Sequence, residues 1–115
     1  MLNTQQLSDF HAGTTKRFWI GFKLNGEAQD ITPDTMTIRF KANRTDPDSA
    51  AVIEKTADVS MRGVAGQGYF SLSPSDTNVT PGNYHVGIEL ERSNGDEYVL
   101  LDQVVEIKDR VADIS

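Results

Sequence analysis

Apolar and polar positions alternate most cleanly between Pro81 and Ile107. Tyr84, Val86, Ile88 and Leu90 recur at every second position, and Val99, Leu101 and Val105 follow after a polar break over residues 92–96. A period of two marks a strand with one buried face. Asn94-Gly95 between the runs predicts a hairpin closed by a two-residue type I′ turn, which needs positive φ at both central residues. That turn sets a register: Leu90 opposite Val99, Ile88 opposite Leu101, Val86 opposite Gln103, Tyr84 opposite Val105. It sends His85, Gly87, Glu89 and Glu91 outward, beside Tyr98, Leu100, Asp102 and Val104.

The same alternation recurs upstream. Phe18, Ile20, Phe22 and Leu24 share one face of a strand over residues 16–24, which leaves Trp19 off the core stripe. Asn25-Gly26 closes that strand, and residues 28–31 read as a short return. Met36, Ile38, Phe40 and Ala42 line the inner face of a further strand, and Arg39 and Lys41 make its outer face wet and basic. Residues 51–55 and 57–61 read as two short strands or one interrupted strand. The glycine-rich stretch 62–68 fits neither element, and Phe70 and Leu72 point inward from a strand over 69–72. Ser73-Pro74 begins a single helical turn, with serine as cap and proline where a missing N–H costs nothing. Tyr84, after a corner turn, stands where sandwich folds carry a corner tyrosine.

About seven short strands separated by turn residues predict an all-β, antiparallel, two-layer sandwich of immunoglobulin type. The expected organisation is a segment over residues 1–14, the sandwich domain over 15–108 and a tail over 109–115. The first segment either frays or forms an arm that crosses to a neighbouring subunit.

Composition narrows the function. A chain of 115 residues makes one domain. Its net charge of −6 disfavours nucleic acid and anionic membrane surfaces, which need clustered cations. It has no cysteine, hence no disulfide framework and no thiolate chemistry. The start lacks the basic and apolar regions of a secretory signal, so synthesis and folding in a cytoplasm are expected. His11 and His85 lie near no nucleophile motif, and His85 reads as a surface residue. Asp46 with Asp48 and Asp96 with Glu97 form no calcium-loop pattern. Gly63, Gly66 and Gly68 lack the lysine and helix of a phosphate loop. The sequons at Asn43 and Asn78 read as chance matches, since no secretory signal is recognised. No catalytic residue, metal or cofactor is expected. What stands out is Trp19, Tyr98, Leu100 and Val104, apolar residues on faces expected to be wet. Either the chain's own segments cover them or they bind a partner.

The chain resembles the immunoglobulin-like domains of tailed-bacteriophage virion proteins, such as the N-terminal domain of the baseplate upper protein. The resemblance runs from about Gly13 to Ile107. It rests on Gly13-Thr14-Thr15 before an aromatic strand, Asp30-Ile31-Thr32 with Met36-Thr37-Ile38-Arg39-Phe40, and Gly68-Tyr69-Phe70-Ser71-Leu72-Ser73 with Asp76-Thr77. Pro81-Gly82-Asn83-Tyr84, Val86-Gly87-Ile88-Glu89-Leu90, Asn94-Gly95 and Val99-Leu100-Leu101 complete it. Asp102-Gln103 departs from the pattern, where a small residue is expected. The resemblance implies a structural virion protein of the tail, baseplate, neck or adaptor. Such a protein works by assembly with copies of itself and other virion proteins, without nucleic acid or membrane. The other expectation is a carbohydrate-binding or adhesion module, whose aromatic platform would be Trp19, Tyr69 and Tyr98.

Overall fold

A computed structural model describes residues 7–109. Residues 1–6 of the expected arm and 110–115 of the expected tail lie outside the described residues. The described chain is all-β: β1 (Phe10–His11), β2 (Lys16–Gly21), β3 (Lys23–Leu24), β4 (Glu27–Ala28), β5 (Thr35–Lys41), β6 (Ile53–Thr56), β7 (Gln67–Leu72), β8 (Gly82–Glu91) and β9 (Glu97–Lys108). The largest sheet has the order β1-β9-β8-β5-β6; β2 pairs with β7, and β3 with β4. The expectation of a wholly antiparallel fold needs correction, because β1 runs parallel to β9 through Phe10 opposite Ile107 and His11 opposite Lys108.

Alternation explains the centre. Met36, Ile38 and Phe40 of β5 are fully buried, as are Ile88 and Leu90 of β8 and Val105 and Ile107 of β9. Ile20, Phe70 and Leu72 from the β2–β7 pair join the same apolar cluster. Each such side chain contributes about 1.5–3 kcal/mol by leaving water. Ala42, expected inward, is exposed just past the end of β5. The single strand expected over residues 16–24 is split at Phe22. Its N–H donates to Gly66 O and its carbonyl accepts from Gln29 N–H, so the chain changes partner there.

The segment ahead of β2 is part of this core. Leu7, Phe10 and Ala12 are buried, and the Phe10 ring meets Phe40 edge-on at 5.9 Å. Gln103 holds Leu7 as a backbone strand would: its amide accepts from Leu7 N–H at 3.0 Å and donates to Leu7 O at 2.8 Å. The residue that breaks the resemblance is therefore the clamp for the N-terminal segment.

The β8–β9 hairpin corrects the expected turn. Arg92 N–H donates to Asp96 O at 2.7 Å, which leaves a three-residue loop of Ser93, Asn94 and Gly95. Gly95 has φ 97°, and Asn94 has no positive φ. Near the turn Leu90 therefore faces Tyr98, and Glu89 faces Val99. A bulge follows, with Ile88 opposite Leu101 and Leu100 left without a partner. The extra loop residue and the bulge cancel, so Val86–Gln103 and Tyr84–Val105 pair as expected. By contrast, Asn25-Gly26 does form the two-residue turn, with φ 52° and 80° and Leu24 opposite Glu27.

The stretch from Ser73 to Thr77 is one turn closed by Thr77 N–H on Ser73 O at 3.1 Å. Ser73 Oγ accepts from Asp76 N–H, and the Asp76 carboxylate accepts from Ser73 N–H in return, a reciprocal cap.

Candidate functional site

The outward face of the five-stranded sheet carries the most distinctive surface. Strand register places its residues in rows: Lys41, His85 and Val104; then Arg39, Gly87 and Asp102; then Thr37, Glu89 and Val99; then Thr35, Glu91 and Glu97. In the second row Gly87 has no side chain, and a shallow depression opens over it between the flanking strands. Arg44, from the loop after β5, reaches Asp102 on β9 with a paired contact at 2.7 and 2.5 Å. The β5-to-β9 span is two strand spacings, roughly 10 Å.

The cations around the depression are engaged. Arg39 Nε donates to Glu54 at 2.6 Å and its Nη1 lies 3.4 Å from Glu89 and 3.7 Å from Asp48. Lys41 Nζ sits 2.7 Å from Asp48. The three carboxylates raise the Arg39 pKa despite partial burial, which opposes them. The Lys41 hydrogen bond, followed by the charge of Arg39, holds the Asp48 carboxyl below the usual aspartate value. These partly exposed pairs each contribute at most about 1 kcal/mol. Their main effect is to hold long side chains in place around the depression.

The four residues expected to bind a partner are divided by the structure. Val104 points outward and is 53% exposed, and Trp19 is 40% exposed. Tyr98 and Leu100 do not point outward as expected: both pack on the core, and the Tyr98 ring lies 4.9 Å from Phe22. The three-residue turn moves Tyr98 inward, and the bulge carries Leu100 with it. The same shift exposes Val99, 66% accessible and missed in the sequence because the two-residue turn sends it inward. The only signal for it was the run Tyr98-Val99-Leu100-Leu101, whose four apolar residues cannot all face one side of a regular strand.

Trp19 belongs to a second patch, on the outer side of the β2–β7 pair. It faces Tyr69 across the strands with ring centres 4.7 Å apart, and the Arg62 guanidinium stands 5.2 Å over its ring. Tyr98 is half-buried elsewhere against Phe22, so the three-aromatic platform is not assembled. Among the described residues no group of three or more histidines and acidic residues converges to hold a metal ion.

Acid sensitivity follows from the loops. Asp30 accepts from the Thr32 N–H and hydroxyl, Asp58 from those of Ser60, and Asp76 from Ser73 N–H and Lys55. In each case these bonds hold the carboxyl below its ordinary value. The unfolded chain takes up protons first as pH falls, so the stability these groups contribute is present above about pH 4 and is lost below it. Thermal unfolding is expected to give a steady midpoint from pH 7 to 5 and a falling one from about pH 4 downward. A midpoint that held steady to pH 2.5 would remove these bonds from the account.

No protein-family model and no curated protein matches this chain.

Proposed function

We propose that this chain is an assembly module of immunoglobulin-like sandwich type, serving as a structural virion protein in the tail, baseplate, neck or adaptor of a tailed phage. The fold part is supported by the sheet order β1-β9-β8-β5-β6 beside the β2–β7 pair, with the first strand parallel to the last. A corner tyrosine adds to it: the Tyr84 hydroxyl donates to Thr80 O, four residues upstream at the head of β8. The virion part rests on the resemblance carried by the residues between Gly13 and Ile107.

The observation that carries an assembly role is the outward sheet face. Val99 and Val104 stand exposed on β9 beside Gly87, within a frame of neutralised charge. Apolar side chains at the centre of a polar rim are the anatomy of a protein contact surface. Mass spectrometry of purified particles induced from the source organism tests the reading. Peptides of this chain at stoichiometric level support it. Their absence from particles, with the protein abundant in the lysate, overturns it.

The exposed Trp19 beside Tyr69 favours one second reading, a glycan-binding module. Saturable calorimetric heat with an oligosaccharide, lost on Trp19→Ala, would replace the assembly reading with that one.

A further inference from the structure

Building on the assembly reading, we infer that the outward face of the five-stranded sheet docks a different protein, one that presents basic side chains around an apolar spot, rather than a second copy of this chain. Val99 and the bare backbone at Gly87 supply the apolar centre. The charges around it identify the occupant. The cations around it, Arg39, Lys41 and Arg44, already have carboxylates of their own, so an acidic partner finds no free cation beside this centre. At the turn end of the face, next to Val99, two carboxylates remain. Glu91 and Glu97 are direct cross-strand partners, and neither makes an ion pair among the described residues.

Side chains so placed stand about 5 Å apart at Cβ, and like charges in that position are destabilising. The fold gains nothing from the pair, whereas a lysine or arginine brought in by a partner engages both. A second copy would instead bring the same two carboxylates and add to the repulsion. Val99, two residues along β9 from Glu97 and directly opposite Glu89, sits where the apolar part of the partner lands.

The test is an NMR titration of the full chain with two short synthetic peptides, one alternating lysine and valine, the other glutamate and valine. The lysine peptide is expected to move the amides of Glu89, Glu91, Glu97 and Val99, with affinity falling as salt rises. The glutamate peptide is expected to leave them still. Glu91→Lys combined with Glu97→Lys should weaken the lysine peptide at least tenfold. Single Glu97→Lys makes an opposite-charge pair with Glu91, so it should weaken binding while leaving the thermal midpoint equal or higher. Shifts that centre on Trp19 and Arg62, or that survive both charge reversals, overturn the proposal. So does sedimentation showing a dimer that Val99→Lys dissolves, because the occupant is then a second copy. If particles contain the chain but the titration fails, the docking chemistry is wrong and the assembly reading stands. If the titration succeeds and particles lack the chain, the reverse holds.

Discussion

Asp34→Ala is expected to cost about 3 kcal/mol, the scale for leaving one member of a buried ion pair alone. The Asp34 side chain is fully buried at the start of β5, and Arg92 Nε approaches its Oδ2 to 2.7 Å. Its Oδ1 accepts from Ser93 N–H at 2.8 Å. The guanidinium also stands 5.3 Å over the Phe22 ring, so one carboxylate ties the β8–β9 loop to β5 and to the point where the chain changes sheets. Without Asp34, Ser93 N–H loses its acceptor and Arg92 loses its counter-charge. Because Arg92 keeps 20% of its side-chain surface in water, the loss belongs at the lower end of the range for buried pairs. Urea unfolding measures it, with a lower midpoint and an unchanged slope expected. Amide exchange at Ser93 and Gly95 should quicken as well. A change under 1 kcal/mol would mean that apolar packing alone sets the loop.

Gly66→Ala is expected to cost about 3 kcal/mol or more. Gly66 has φ 80°, and a Cβ there would lie 2.7 Å from Phe22 O and 2.8 Å from Gln29 O. The left-handed conformation costs an L-residue about 1–2 kcal/mol by itself. The clash adds to this, since both neighbours are backbone atoms that no rotamer change can move aside. Gly66 O is also the acceptor for Phe22 N–H, so any retreat of the loop lengthens the bond that redirects β2 into β3. Gly95→Ala makes the control. Its φ is 97°, but nothing lies near the added Cβ, so only the conformational part of the loss is expected. Equal losses in the two variants, by thermal or urea unfolding, would show that the close approach at Gly66 carries no cost.

The two Asn-Gly pairs show where sequence reading stops. Asn25-Gly26 connects two-residue strands at the surface and adopts the turn its own chemistry prefers. Asn94-Gly95 has the same local preference, but Asp34 reaches across to the neighbouring Ser93 N–H and Arg92, while Asn94 Oδ1 accepts from Asp96 N–H. Tertiary contact overrides the local choice and adds one residue to the loop. The bulge at Leu100 restores the pairing beyond it, so a sequence argument that assumed neither feature still placed Val86, Tyr84 and His85 correctly. Between turn and bulge it placed Leu90, Glu89 and Glu91 of β8 correctly but put Tyr98 and Val99 of β9 on the wrong faces.

Period-two alternation, with turn residues between the runs, determined from the sequence which residues of β5, β7 and β8 line the core. Burying one face of a strand needs only local spacing, and that much is written in the order of the side chains. The single turn at Ser73, the pairing of Tyr84 with Val105 and the outward direction of Asp102 and Val104 belong to the same class. What only the tertiary structure decided is everything that depends on a partner distant in sequence. Gln103 clamping Leu7, Arg44 reaching across to Asp102, and Phe22 changing sheets at Gly66 are of this kind. So is the exposure of Val99. Such contacts join groups whose separation along the chain carries no periodic signal, and the outward sheet face owes its shape to them.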